Sequence, residues 1–303
     1  MRWRLSVIFL AGGSIAGATI DIDVRQALSQ GNLPAAEQML RDYRAKVGVT
    51  PEMLEALSWI GRAQLAQNSW DQAQSTAQRT LELAGVELKK RPLDSDPHLA
   101  LAVGAAIEVE SQVLAARGQP GAAVAYLHKE LALYSNTSIA PRIQKNINLL
   151  ALVGKAAPEL RAEEYLGRRP PSLASLRGKP VLLFFWAHWC SDCKADEPIV
   201  AKVRGLYADR GLVLIAPTQH YGYAARGEDA TRAQELKYIE AVRGQFYRDI
   251  LDAPMPVSEA NFRNYGASTT PTIVVIDRKG IVRTFHPGAM TLEELRTAVE
   301  QAL

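Results

Sequence analysis

A change of period divides this chain. Over residues 23–153 it is rich in Ala, Leu and Gln, has almost no β-branched runs and is punctuated by Gly, Asn and Pro, which predicts packed helices. After Gly178 the apolar residues gather into short continuous runs at 181–186, 212–216, 272–276 and 281–285. Runs this short, bounded by turn residues, predict buried strands. Helical stretches fall between and after them at about 191–207, 231–242, 259–265 and 291–303, the last opened by Thr291 and Glu294 at capping-box spacing. A hairpin turn is expected at Asp277-Arg278-Lys279-Gly280. The segment between Gly154 and Arg177, with Pro158, Pro170 and Pro171, breaks both patterns and joins the halves. At 303 residues, two units fit: an all-α region over 19–153, a linker over 154–156 and an α/β domain over 157–303.

Three segments of the helical half share one pattern: Gly31-Asn32-Leu33-Pro34-Ala35-Ala36, Asn68-Ser69-Trp70-Asp71-Gln72-Ala73 and Gly118-Gln119-Pro120-Gly121-Ala122-Ala123. The first residue of each makes a turn, and the Ala five positions on lets the second helix pack closely, so helical hairpins are expected. The pattern resembles the tetratricopeptide repeat, and the second unit, with Leu57, Ile60 and Gly61 ahead of its turn, fits best. Glu110 replaces the expected apolar residue in the third. The unit spacing, about 37 and then about 50 residues against the usual ~34, puts the excess around 88–98. A plain helical bundle competes with this reading. A last helix over about 141–153 carries Ile143, Ile147 and Leu150 on one face and caps the stack.

Residues 1–18 read as a secretory signal: Arg2 and Arg4, an apolar run from Leu5 to Ala11, and the small residues Ala16-Gly17-Ala18. Export to a bacterial periplasm or cell envelope follows, with an uncleaved N-terminal anchor as the rival, and no later segment reads as long and apolar enough to span. The formal net charge of +3, with no basic run longer than Lys89-Lys90-Arg91, argues against nucleic acid as a partner. Only two cysteines occur, Cys190 and Cys193, too few and too close for a stabilising framework.

Trp189-Cys190-Ser191-Asp192-Cys193 follows a predicted strand and opens a predicted helix. There the free backbone N–H groups and the helix dipole stabilise a thiolate, lowering a cysteine pKa from about 8.5 to roughly 3.5–7.5. Cys190 is the expected nucleophile, and Cys193, almost one turn on, resolves a mixed disulfide. A structural zinc site lacks a second ligand pair, a haem attachment needs His where Lys194 stands, and a structural disulfide closing so short a loop constrains the unfolded chain little. No metal or cofactor is expected.

Phe185-Trp186-Ala187-His188-Trp189-Cys190-Ser191-Asp192-Cys193-Lys194 resembles the thioredoxin active-site signature, with Pro198 where that family kinks the active-site helix. Thr269-Thr270-Pro271-Thr272 resembles its cis-proline segment. The resemblance implies a thioredoxin-like fold, and a groove in which Thr270, Pro271 and Trp189 hold the incoming chain. Leu176-Arg177-Gly178-Lys179-Pro180, and Thr272 to Gly280 followed by Gly288, are most similar to the exported TlpA- and ResA-like disulfide reductases. Phe184 stands where cytoplasmic thioredoxin has a buried Asp. The exported reductases place an acid three residues after the second Cys, here Asp196, with Glu197 adjacent, to accept the resolving thiol's proton; a solvated helix surface is the alternative for both. Asp192, between the cysteines, disfavours a nearby thiolate and so favours a reducing couple.

The expected activity is thus that of an exported thiol-disulfide oxidoreductase, a disulfide reductase or isomerase acting on disulfide-containing proteins. Its electrons, by resemblance, come from a membrane thiol carrier, and its helical half binds a protein partner. A thioredoxin-fold adaptor or electron relay is one alternative. A thiol peroxidase is another, although Leu183 and Ala187 stand at the Pro and Thr positions of the peroxidatic motif. His188, His220, Tyr221 and Tyr223 read as exposed loop residues by default.

Overall fold

The computed structural model describes residues 19–303, so the leader expected over 1–18 lies outside the described residues. Three helical hairpins come first: α1 (Ile20–Ser29) with α2 (Leu33–Val47), α3 (Pro51–Ala66) with α4 (Trp70–Leu88), and α5 (Pro97–Ala116) with α6 (Pro120–Tyr134). Their turns share one geometry. Gly31, Asn68 and Gly118 adopt φ of 74°, 58° and 76°. The residue after each donates its N–H to the carbonyl five residues back, Asn32 to Ala27 at 3.0 Å, Ser69 to Gln64 at 2.9 Å and Gln119 to Leu114 at 3.0 Å. Ala36, Ala73 and Ala123, five positions past the turn residues, are completely buried, as the sequence pattern predicts. Gly61 on α3 serves the same close packing, since a Cβ there would lie 3.3 Å from Thr76 Cγ2 on α4. The extra length between the second and third hairpins is a 3-10 turn, Leu93–Ser95, that buries Leu93.

One expectation is corrected here. α5 is long and apolar enough, by length and composition, to cross a bilayer; 67% of its most apolar window is buried inside the protein, chiefly against α3, α4 and α6. Its all-round apolarity is that of a central core helix.

The seventh helix, α7 (Ala140–Ala151), buries Ile143 and Ile147 in the helical core and leaves Leu150 exposed. It also contacts the second domain, a role the sequence did not suggest. There, the main sheet runs in the order β3 (Val213–Ile215), β2 (Val181–Phe185), β5 (Thr272–Ile276), β6 (Val282–Pro287), with β2 parallel to β3 and antiparallel to β5, and β5 antiparallel to β6. Both faces are covered, which explains the unbroken apolar runs. Leu182, Phe184, Ile273, Val275 and Leu214 point into one core together with Cys193 and Val200 of α8 (Ser191–Leu206), Ile239 of α9 (Arg232–Phe246) and Leu295 of α11 (Leu292–Glu300). Leu183, Phe185, Val274 and Ile276 point the other way, onto Phe262 and Tyr265 of α10 (Glu259–Tyr265) and Leu152 just after α7. The capping box of α11 forms, with the Thr291 side chain accepting from Glu294 N. A two-residue ladder, β1 (Tyr165–Leu166) against β4 (Met255–Pro256), is too short to show a period in the sequence.

The junction is tightly made. Residues 154–156, read as a linker, are paired to the edge strand: Gly154 N donates to Val282 O at 2.8 Å, Val282 N to Lys155 O at 2.9 Å, and Ala157 N to Gly280 O at 3.0 Å. Asn148 Nδ2 of α7 donates to Tyr265 O at 2.6 Å. Gly266, in the left-handed conformation at φ 62°, lies so close to the backbone of Gln144 and Lys145 that a Cβ would overlap it.

Candidate active site

Strand β2 delivers the chain, through Trp186-Ala187-His188-Trp189, to the N-terminus of α8, where Cys190 is the N-cap. Cys193 N, one of the helix's free donors, points at Cys190 Sγ at 3.0 Å. The two sulfurs are joined as a disulfide, with S–S 2.05 Å. Cys193 is completely buried and Cys190 3% exposed, whereas Trp189 beside them is 49% exposed. A partner can therefore reach the pair from the Cys190 side. Trp186 anchors the lead-in: its Nε1 donates to Ala216 O at 3.0 Å, and its carbonyl accepts Thr218 Oγ1 at 2.9 Å.

The Thr270–Pro271 peptide bond is cis, and it immediately precedes β5. Thr272 lies opposite Phe185 in the sheet, which puts this segment at the end of β2 from which the chain runs to Cys190. The Pro271 carbonyl accepts from Gly288 N at 2.8 Å and Thr272 Oγ1 donates to Thr269 O at 2.6 Å, while Thr270 Oγ1 is buried without a partner.

Cys193, Asp196 and Glu197 are spaced i, i+3, i+4 along α8, and all three are buried. The solvated-surface alternative for the two acids does not hold. Burial pushes the Asp196 carboxyl above its ordinary range, opposed by the Met290 backbone N–H, and its Oδ2 has no hydrogen-bond partner. Burial likewise raises Glu197, whose Oε1 accepts from Asp249 N at 3.0 Å. A raised pKa makes a carboxylate a stronger base, which is what a group accepting the resolving thiol's proton needs. Asp192 is exposed in the first turn of the same helix.

The histidines read as exposed loop residues are in fact buried. His188, at 1% exposure, places Nε2 3.2 Å from Glu235 Oε1. Burial lowers its pKa despite the carboxylate, so the neutral ring donates from Nε2. His220 bridges two carboxylates, with Nδ1 3.1 Å from Glu235 Oε2 and Nε2 2.8 Å from Glu164 Oε2. Glu235 also accepts from Tyr221 N at 2.6 Å and Gly222 N at 3.0 Å. Burial works against ionising it, but these bonds prevail and hold its carboxyl below the usual range. Tyr221 packs edge-on to both His188 (5.4 Å) and Trp189 (5.5 Å), so the loop after β3 is clasped to the active-site loop. Sequence reasoning missed Glu235 and Glu164. The only signal was the pair of histidines, and neither carboxylate is near them in the chain.

In the helical half, Asp21, Glu55 and His98 bring ligand-type atoms within 4.8 Å of one another. His98 Nδ1 and Glu55 Oε2 already satisfy each other at 2.7 Å, and Trp59 Nε1 donates to the other Glu55 oxygen at 3.2 Å.

The thioredoxin-like domain family matches residues 171–303. The thioredoxin-like protein YneN of Bacillus subtilis (strain 168) is 28% identical over 150 residues, 48% of this chain and 78% of that protein. The thiol:disulfide interchange protein DsbE of Pseudomonas fluorescens biotype C is 29% identical over 139 residues, 46% of this chain and 68% of its own. The thiol-disulfide oxidoreductase ResA of Geobacillus thermodenitrificans (strain NG80-2) is 28% identical over 148 residues, 49% and 76% of the two chains. Residues 171–303 thus match the thioredoxin-like domain family, are similar to proteins named as thiol-disulfide oxidoreductases, and carry a Cys-x-x-Cys pair at the start of α8.

Proposed function

We propose that this chain is an exported thiol-disulfide oxidoreductase that reduces disulfides in other proteins. The Cys190–Cys193 disulfide at the N-terminus of α8, in a thioredoxin-like domain, carries the reading. In the reduced form the Cys190 thiolate attacks one sulfur of a substrate disulfide. A mixed disulfide forms, and one substrate thiolate leaves. Cys193 then loses its proton to the Asp196 carboxylate or through Glu197, attacks Cys190 Sγ and releases the second substrate thiolate. Two electrons pass from the dithiol to the substrate, and the protein is left with the Cys190–Cys193 bond. A dithiol donor must return those electrons; a membrane thiol carrier on the outer side of the cytoplasmic membrane suits a protein exported by residues 1–18.

Trp189, Thr270 and Pro271 line the groove for the incoming chain in this reading, and the helical region, 19–153, binds a protein partner with tetratricopeptide-like hairpins. The domain carrying the chemistry runs over 157–303. Insulin reduction by dithiothreitol, followed by turbidity, tests the proposal: the protein accelerates it and Cys190→Ser does not. An equal rate for Cys190→Ser would end this reading.

A further inference from the structure

The helical half meets the cis-proline segment across a cleft of about 470 Å³, lined on one side by Arg62, Leu101, Arg142 and Lys145 and on the other by Ser268 and Thr269. This neighbourhood is held in place by backbone: Gly266, two residues before Ser268, rests directly on the backbone of Gln144 and Lys145. Gly104 on α5 makes room for Arg142, since a Cβ there would lie 3.1 Å from Arg142 Cδ.

Three cations converge on one carboxylate. Glu108 receives Arg142 Nε at 2.7 Å, Lys145 Nζ at 2.9 Å and Arg62 Nη2 at 3.3 Å. A second carboxylate, Asp94, adjoins the cleft, but it is engaged by the backbone N–H and hydroxyl of Ser138 at 2.5–3.2 Å. Arg142 and Lys145 are only 15% and 12% exposed, so their charge acts in a partly desolvated wall, where attraction is stronger than at a free surface. The cations outnumber the carboxylates, and the cleft opens beside Thr269, one residue before the cis peptide bond.

We infer that this cleft extends the substrate groove and selects protein disulfides flanked by an acidic segment, whose carboxylates sit against Arg62, Arg142 and Lys145 while apolar side chains rest on Leu101. The inference builds on the oxidoreductase reading. It makes the helical half a wall of the substrate site.

The test uses the full protein and an Arg62→Gln/Lys145→Gln double variant, with dithiothreitol as reductant. Three disulfides are compared: a peptide flanked by Asp and Glu, the same peptide flanked by Lys and Gln, and neutral bis(2-hydroxyethyl) disulfide. The native protein is expected to favour the acidic peptide by roughly tenfold in kcat/KM, and the double variant to lose most of that preference while turning over the neutral disulfide at the native rate. No native preference, or a preference that survives in the variant, overturns the inference. Failure to turn over the neutral disulfide sinks the oxidoreductase reading instead. The cleft is then judged by fluorescence anisotropy with the acidic peptide bearing Ser in place of Cys: weaker binding by the variant supports it, and equal or no binding by both proteins refutes it.

Discussion

Glu235 Oε1 lies 3.2 Å from His188 Nε2, joining a helix that begins 42 residues after Cys190 to the residue two places before that cysteine. The same carboxylate accepts two backbone N–H groups from the loop after β3 and faces His220. One buried anion thus fixes both the approach to the disulfide and the loop whose Tyr221 packs on Trp189.

Replacing it should be costly. Glu235→Ala strands the Tyr221 and Gly222 donors and both imidazoles, and a loss of roughly 3–5 kcal/mol is expected from urea unfolding. An unfolding midpoint equal to that of the native protein would show that the clasp contributes nothing.

Cys193→Ser should arrest the reaction halfway. Cys190 still attacks, but nothing expels the partner, so multiple turnover stops and a mixed disulfide accumulates. Non-reducing gel electrophoresis after incubation with a disulfide peptide should show one stable adduct per chain, absent in Cys190→Ser.

Asp196 carries opposite consequences for stability and rate. Its carboxyl pKa is raised in the folded state, so its contribution to stability is fully present below the ordinary value of 3.8 and is lost as pH rises through the folded pKa. At pH 7 the charged form is therefore a burden on the fold, and Asp196→Asn should unfold at a higher urea concentration there. The same change removes a proton acceptor, so insulin reduction should slow by roughly ten- to a hundredfold. Unchanged turnover would remove Asp196 from the proton path and leave it a buried acid without a task.

His98 gives the helical half a pH dependence of its own. Burial disfavours its charged form, but the hydrogen bond to Glu55 and that carboxylate's charge prevail, and its pKa is raised above 6.5. The stability it contributes is complete below 6.5 and fades as pH rises through the folded value. Thermal midpoints measured from pH 5.5 to 8.5 should fall more steeply for the native protein than for His98→Gln. Parallel curves would mean that the pair does not act this way.

Gly266→Ala probes the junction. A Cβ would overlap the backbone of α7, and the left-handed φ of 62° adds strain, so the two halves must shift apart. Limited proteolysis should then cut within 152–158, a stretch paired to β6 in the native protein. Resistance equal to the native protein would show that the contact yields without opening the junction.

Much of this was legible in the sequence because it depends on local physics. The turns at Gly31, Asn68 and Gly118 with alanines five residues on, the buried strands written as unbroken apolar runs, and the Cys-x-x-Cys at a strand-to-helix turn all arise from period, φ preference and helix-end chemistry within a few residues. Leader-like residues 1–18 are legible in the same way but lie outside the described residues. The remainder needed the chain to return on itself. His188 looked exposed because a loop histidine has no burial period, and its partner Glu235 stands 47 residues away. Asp196 and Glu197 stood out only by resemblance, with a solvated helix surface as the alternative, until packing covered that face. Residues 154–156 read as a tether, and became an edge pairing only because β6 presents unpaired backbone groups beside them. The sequence alone determined the two fold classes and the placement of the Cys-x-x-Cys pair at a helix start, since period and motif are local. Tertiary structure alone decided the burial of the acids and histidines near the disulfide and the seating of the helices against the second domain, because desolvation and ion pairing depend on neighbours that the linear order does not name.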